Sequence, residues 1–311
     1  MSVYTSLGHA QIESLINAYS LGSLTSYSGI SAGIENTNYL LNTTQGDFIL
    51  TLYEHFKVDE ITPYLDLLVQ LGQYERYYPS PLPDKQQRYL QIFEGKPVAV
   101  FKCLSGKSVQ QATTNQCQSA ASALARFHLR SSSLRFSQEN SRNIEWMQET
   151  ALQVSSHLSV QDSRLLEDEL QYQIKHTTQH LTQGIIHADL FKDNVLFVGD
   201  NLTGMLDFYA SCCDCYLLDV AITLNDWCVD EQGIFQRKQQ DVFMQAYKQV
   251  RAISQLEENY LPLLLRRACL RFWLSRIEHQ LYPRAGEITQ EKDPYIFKNL
   301  LLQHRQFYAL K

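Results

Sequence analysis

His187, Asp189 and Asn194 stand in the order H-x-D-x-x-x-x-N within His187-Ala188-Asp189-Leu190-Phe191-Lys192-Asp193-Asn194. Thirteen residues after Asn194 comes Asp207, in Leu206-Asp207-Phe208-Tyr209. These residue types at this spacing suit phosphoryl transfer. A carboxylate on a loop, Asp189, can share the proton of an attacking hydroxyl. A carboxamide, Asn194, and a second carboxylate, Asp207, can hold Mg²⁺ against phosphates. His187 would brace the loop by hydrogen bonding rather than react. A lone H-x-D is often only a polar turn between strands. Here five features agree in order and spacing: a strand, H-x-D, Asn five residues after Asp, a hairpin, and an apolar-Asp-aromatic triplet. That agreement favours the catalytic reading.

The elements that must position these residues form a small strand-rich island, residues 184–208. Gly184-Ile185-Ile186-His187 reads as a strand, and Asn194-Val195-Leu196-Phe197 with Gly204-Met205-Leu206-Asp207 as a hairpin. The hairpin brings Asn194 and Asp207 to one side. Helices surround the island: from Asn115 onward, over 162–181, and near 216–228, 236–250, 257–281 and 293–308. The N-terminal third is strand-rich. It opens on a helix whose apolar stripe is Ile12, Leu15, Ile16 and Tyr19, with Gly22 as its expected stop. Strand-like runs flank the link of residues 31–38, and Gln45-Gly46-Asp47 reads as a hairpin turn before the strand of residues 48–53. A helix follows Asp59-Glu60 through Leu65, Leu68 and Leu71. Residues 78–84, with three prolines, form a loop, and strands are expected over 88–93 and 97–103. There is no internal repeat and no low-complexity linker.

Composition bounds the function. The chain has 311 residues, enough for two modest domains or one domain of two lobes. Apolar residues make up 44% and charged residues 19%, which excludes a disordered chain. The net charge of −6 argues against a broad nucleic-acid-binding surface. No apolar run is long enough for a membrane span, and residues 1–10 lack the pattern of a secretory signal. A soluble, cytoplasmic protein is the expectation. Seven cysteines, an odd number, suit free thiols in a reducing compartment.

The stretch from Gly184 through Asp207 resembles the aminoglycoside phosphotransferase and choline kinase superfamily. A narrower resemblance, to the bacterial homoserine kinases of that superfamily, is carried by several further blocks. They are Gly33-Ile34-Glu35-Asn36-Thr37-Asn38-Tyr39, Leu218-Asp219-Val220-Ala221, Leu224-Asn225-Asp226-Trp227-Cys228 and Leu270-Arg271-Phe272-Trp273-Leu274-Ser275-Arg276. The resemblance implies an α+β, two-lobed protein-kinase-like fold. A small antiparallel-sheet nucleotide lobe would cover residues 1–103, and a larger helical catalytic and substrate lobe residues 104–311. It implies ATP and Mg²⁺ as cofactors, bound in the cleft between the lobes. Gly33, Asn36 and Asn38 would belong to the nucleotide loop. Phe101, Lys102 and Leu104 would belong to the hinge that hydrogen-bonds adenine. Asp219 would brace the catalytic loop. The implied reaction is phosphorylation of L-homoserine to O-phospho-L-homoserine, a step of threonine biosynthesis.

The sequence departs from the kinase pattern at Thr51, where a Lys or Arg would reach the α- and β-phosphates. Glu60 is the nearest candidate for the usual helix acid. Phosphate charge would then fall to Mg²⁺, to the amides of residues 33–38 and to Lys192. Tyr209 replaces the Gly that follows Asp-Phe in protein kinases.

On the acceptor side, Arg266, Arg267, Arg271 and Arg276 share one expected helix, whose ordinary reading is a solvated basic face. Arg271, however, lies among Phe272, Trp273 and Leu274, where an unpaired charge is costly. It needs an anionic partner, either a protein acid or a substrate carboxylate. Asp226, flanked by Asn225 and Trp227, is the candidate acid for a substrate ammonium, with Trp227 beside it. Residues 262–277 contain four arginines and no acid, which disfavours a polycationic acceptor. Two other readings stay open: a kinase for an aminoglycoside, choline or a methylthio-sugar, and an inactive nucleotide-binding protein. Cys212-Cys213-Asp214-Cys215 lacks the second pair that a zinc site needs. His128 reads as a satisfied core histidine.

Overall fold

The computed structural model describes residues 4–30, 36–283 and 292–309. The Gly33 assignment therefore lies outside the described residues. The chain divides into two compact units, with the change at Ser105–Gly106.

In the first unit, helix α1 (His9–Ile16) leads into strands β1 (Leu24–Gly29), β2 (Thr37–Thr43) and β3 (Gly46–Leu52). Helix α2 (Val58–Leu71) and strands β4 (Gln91–Phe93) and β5 (Lys96–Lys102) complete it. The strands form one antiparallel sheet in the order β1-β2-β3-β5-β4. Gly46, at φ 126°, starts β3 in a conformation that side chains resist. The stripe expected on the first helix is buried on the sheet: Ile12, Leu15, Ile16 and Tyr19 pack with Leu41, Leu50, Val98 and Val100. Each such side chain contributes about 1.5–3 kcal/mol on leaving water. The helix ends at Ile16, well before Gly22, yet Tyr19 stays 3% exposed in the following turn. Strand β4 begins later than expected because Arg88 is held in a turn. Asp84 accepts hydrogen bonds from the Gln86 and Arg88 amides and from Arg88 Nε.

The second unit holds α3 (Thr114–Ser131), α4 (Ile144–Val154), α5 (Val160–Ile174) and β6 (Gln183–Ile186). Then come β7 (Val195–Val198), β8 (Asn201–Met205), β9 (Cys212–Cys215) and α6 (Tyr216–Trp227). Helices α7 (Arg237–Val250), α8 (Gln255–Leu281) and α9 (Tyr295–Ala309) follow. Two small sheets, β6-β9 and β7-β8, sit among the helices. Strand β9 has no periodic signature in Cys-Cys-Asp-Cys. It forms because β6 offers it an antiparallel ladder from Gln183↔Cys215 to Ile186↔Cys212. Helix α5 stops at Ile174 rather than near 181. Arg267 accounts for this: it donates to Gln173 Oε1 in the last helical turn and to Thr178 Oγ1 and the His176 carbonyl beyond it, holding 175–178 out of the helix. The chain is thus mixed, with an antiparallel N-terminal sheet and a helical C-terminal part. Among the described residues no helix is long and apolar enough to cross a membrane.

Candidate active site

The site is built on the loop that leaves β6. The His187 and Ala188 amides both donate to the Asp219 carboxylate, at 2.6 and 2.8 Å. Ala188 sits at φ 65°, a left-handed conformation that costs a non-glycine residue about 1–3 kcal/mol unless its surroundings enforce it. The carboxylate on α6 supplies that enforcement. Asp219 is fully buried and also accepts from His128 Nε2, at 3.0 Å. His128 Nδ1 in turn lies 2.6 Å from the Tyr247 hydroxyl. Burial lowers the His128 pKa, so the neutral ring donates to Asp219 at Nε2 and accepts from Tyr247 at Nδ1. Burial alone would raise the Asp219 pKa. The His128 hydrogen bond and the neighbouring imidazoles outweigh it and hold the carboxyl below its usual range.

His187 couples this loop to the residue before Asp207. Its Nε2 donates to the Leu206 carbonyl at 2.8 Å, and its Nδ1 accepts from the Asp189 amide at 3.3 Å. The ring lies 4.5 Å from Phe208. Burial lowers its pKa, which keeps the imidazole neutral. With both nitrogens engaged, this geometry suits bracing.

Asn194 Nδ2 donates to the Asp189 carbonyl at 2.9 Å and to Asp189 Oδ2 at 3.1 Å. The Leu206 amide donates to the Asn194 carbonyl at 2.8 Å, closing the β7–β8 hairpin. Asp207 follows at φ 60°. Asp189 has its pKa raised well above the usual carboxylate range. Burial is the main cause and Asp207 the second, while Arg271 and Lys292 act in the opposite sense. The Asp189 and Asp207 carboxylates, with the Asn194 Oδ1 left over from its bonds to Asp189, make a hard oxygen donor set that fits Mg²⁺. No cluster of three or more His, Cys, Asp or Glu suited to a metal occurs among the described residues. Phosphate oxygens and water would have to complete the coordination, which is the habit of Mg²⁺.

Asp226 Oδ2 accepts from the Lys192 amide at 2.7 Å, so it borders the same loop, and burial raises its pKa. Trp227 requires a correction. It was expected beside the acceptor, but its indole N–H is spent on the Leu190 carbonyl at 2.9 Å and its side chain is buried. The reason is helical spacing: Trp227 faces inward to close the core under the loop, against Phe197.

The α8 arginines are not a solvated face. Arg266 pairs with Glu169, Arg267 makes the bonds given above, and Arg276 Nη1 donates to the Asp293 carbonyl. Burial brings the Arg276 pKa down to about 10. Arg271 differs. It is 6% exposed, and Nη1 is buried with no hydrogen-bond partner among the described residues. Burial lowers its pKa, and the Asp189 carboxyl is the nearby acid that acts in the opposite sense, since burial pushes the Cys212 thiol up to about 12 and keeps it neutral.

In the first unit, the register pairs Asn38 with Thr51. Thr51 Oγ1 donates to Asn38 Oδ1 at 2.7 Å. Asn38 Nδ2 reaches the Asn36 carbonyl at 3.4 Å, and Asn36 Oδ1 is buried without a partner among the described residues. Phe101 and Lys102 end β5, and the Cys103 amide just beyond donates to Asp47 O; Leu104 follows, half-buried. The Glu60 expectation is corrected: its carboxylate accepts from the Lys57 amide and caps α2 from an exposed position. Thr51→Ala should raise the KM for ATP about two- to tenfold with kcat nearly unchanged, since one neutral hydrogen bond contributes about 0.5–1.5 kcal/mol. Steady-state kinetics check this, and a loss above a hundredfold in a folded variant would contradict it.

Sequence reasoning missed Tyr247 and the aromatic stack beside the loop, where Phe191, Phe272 and Phe297 lie 4.8–6.1 Å apart. Helical periodicity marks such residues as core and carries no sign of their long-range partners.

Residues 26–253 match the model of the phosphotransferase enzyme family. Over 301 residues the chain is 37% identical to a homoserine kinase of Methylobacillus flagellatus, covering 97% of this chain and 94% of that protein. It is also 37% identical over 302 residues to a homoserine kinase of Neisseria meningitidis serogroup B, covering 97% and 99%. Among solved structures, a spectinomycin phosphotransferase in complex with ADP and spectinomycin is similar at TM-score 0.71 and 12% identity, covering 96% of this chain and 98% of that one. An amicoumacin kinase in complex with AMP-PNP and Ca²⁺ is similar at TM-score 0.70 and 14% identity, covering 96% and 92%. Those two likenesses carry the kinase-like fold. A family model spanning most of the chain and near full-length identity to homoserine kinases carry more: this chain is a member of the phosphotransferase enzyme family and groups within it with the homoserine kinases.

Proposed function

We propose that the protein transfers the γ-phosphoryl group of ATP to the side-chain hydroxyl of L-homoserine, giving ADP and O-phospho-L-homoserine. Asp189 would accept the hydroxyl proton as the oxygen attacks phosphorus. Asn194 holds the Asp189 carboxylate in place, and His187 and Asp219 hold the loop. Asn194 and Asp207 would carry Mg²⁺, which when bound supplies charge neutralisation for the phosphates. Lys192 would add positive charge from the same loop. Asn36, Asn38 and the chain at Phe101–Leu104 would meet the nucleotide.

The observation that supports the acceptor is Arg271. A buried guanidinium whose Nη1 has no partner among the described residues, under the influence of Asp189, calls for an anion. The homoserine carboxylate supplies one, in the planar geometry a guanidinium prefers. Asp226 would take the ammonium. A charge-assisted hydrogen bond contributes about 1.5–3 kcal/mol, so Arg271→Ala should raise the homoserine KM about ten- to hundredfold and leave the ATP KM unchanged. With 3-aminopropan-1-ol, which lacks the carboxylate, wild type should turn over poorly and the Arg271→Ala penalty should nearly vanish. An equal penalty on both acceptors would make Arg271 a structural residue.

A further inference from the structure

The edge of the N-terminal sheet that carries Asn36 and Asn38 is tied to a buried ion pair. Thr37, fully buried at the start of β2, donates from its hydroxyl to Glu54 Oε1. The same hydroxyl oxygen accepts from the Tyr4 and Thr5 amides, at 2.9 and 3.1 Å. Glu54 Oε2 accepts from Thr5 Oγ1 at 3.0 Å and from Lys96 Nζ, and Lys96 also donates to Thr5 Oγ1 at 2.8 Å. The Glu54 side chain is 5% exposed, so its carboxylate sits out of water with both oxygens engaged. Burial alone would raise its pKa. The hydrogen bonds from Lys96, Thr37 and Thr5 outweigh burial and hold the carboxyl below its usual range.

The backbone explains why these groups converge. The Tyr53 amide donates to the Pro97 carbonyl at 2.9 Å, which brings Glu54, just past β3, beside Lys96 at the start of β5. Thr37 pairs with Leu52 in the β2–β3 ladder and so ends at the same edge. Two positions along β2, the Tyr39 hydroxyl accepts from the Leu7 amide at 2.8 Å and donates to the Thr5 carbonyl at 3.0 Å. Residues 4–7 are thus strapped to one face of β2 at two points. Successive residues of a strand face opposite sides. Thr37 and Tyr39 are buried, and Asn38 between them is half-buried and turned to Thr51. Fixing Thr37 on one face therefore fixes where Asn38 points on the other, and Asn36 is the residue joined to Thr37 on its other side.

We propose that Glu54 is a positioning residue for the nucleotide: through the Thr37 hydroxyl, with Lys96 holding its other oxygen, it sets Asn36 and Asn38 against the phosphates of ATP. The inference rests on the nucleotide part of the proposed function and deepens it. Thr51 brings no cation to the phosphates, so more of their binding falls on the start of β2, and its alignment bears directly on affinity. Glu54 itself touches no nucleotide. The adenine end would be met at Phe101–Leu104, about 20 Å along β5 from Lys96 at the usual rise per strand residue. A loosened Thr37 should therefore weaken phosphate binding and leave adenosine binding alone.

The test compares ATP with adenosine. Calorimetry with Mg²⁺ present gives the Kd of each for wild type, Thr37→Ser, Thr37→Val and Glu54→Gln, and for Asn38→Ala alone and combined with Thr37→Val. The ATP Kd should rise about tenfold in Thr37→Val and in Glu54→Gln, the size expected for one charge-assisted hydrogen bond, with the adenosine Kd within about twofold. Thr37→Ser, which keeps the hydroxyl, should stay near wild type. The double variant should lose less than the product of the single losses, because both residues act on one contact. Unchanged ATP affinity in either folded variant, ATP and adenosine weakened alike, or single losses that multiply overturns the proposal. If Thr37→Val does not fold, Glu54→Gln decides by the same ratio. These titrations need no acceptor: wild type that binds ATP and turns over no homoserine sinks the homoserine reading, while the ATP-to-adenosine ratio still decides the role of Glu54.

Discussion

Asp189→Asn should lower kcat by about 10²–10⁴, the usual range for a positioned general base, while ATP affinity stays within a few-fold of wild type. The substitution is well controlled by the site itself. An Asn side chain keeps an oxygen for the Asn194 Nδ2 contact at 3.1 Å, and the loop remains held by Asp219 and His187. What it removes is the capacity to take the proton. The same carboxylate sets a pH signature. Burial and the nearby Asp207 push the Asp189 pKa well above the ordinary range, and in the proposed general-base role the charged form is the competent one. Activity in wild type should therefore rise with pH through a pKa above that of an ordinary aspartate, and this limb should be missing from the residual rate of the variant. Pre-steady-state turnover and nucleotide titration measure both parts. A variant with near wild-type kcat would remove Asp189 from the chemistry.

Asp219→Ala should damage folding as well as catalysis. It strips the carboxylate from three buried donors at once: the His187 and Ala188 amides and His128 Nε2. Breaking a buried, hydrogen-bonded charge site by removing one partner costs about 3–5 kcal/mol. Ala188 would also lose what enforces its left-handed backbone. We expect a markedly lower melting temperature and almost no turnover. The pH dependence follows in sign. The Asp219 pKa is lowered on folding, so its stabilisation is present above the unfolded aspartate range and is lost as the pH falls through the folded value. Thermal melts of wild type should weaken toward acid pH, and those of a folded Asp219→Asn variant should do so less. A variant as stable as wild type would show that the β6 loop is held by something else.

The reach of the sequence is uneven, for physical reasons. Catalytic chemistry was legible because Asp189, Asn194 and Asp207 are tied by fixed local spacing across one loop and one hairpin. Helices with a clean apolar stripe, such as α1, were legible too, although the stripe ran past the helix end at Ile16. Strand β9 was not, since Cys-Cys-Asp-Cys has no alternation and exists as a strand only through β6. The orientation of Trp227 was equally hidden: a Trp next to an acid reads the same whether it faces a substrate or closes a core. The network from Asp219 through His128 to Tyr247 spans 91 and 119 positions, and no local pattern reports such pairings. The arginines show the same limit. Four of them on one helix looked alike, and only packing separates Arg266, paired with Glu169, from Arg271, whose Nη1 has no partner among the described residues.

The central claim is that this chain phosphorylates homoserine. It is tested most directly by incubating the purified protein with ATP and Mg²⁺ and a panel of L-homoserine, L-serine, choline and kanamycin. ADP release is followed, and the product is identified by phosphorus NMR. The account predicts ADP release stoichiometric with O-phospho-L-homoserine, and the highest kcat/KM on L-homoserine. Turnover of another panel member with none on L-homoserine, or no acceptor-dependent ADP release at all, would contradict it.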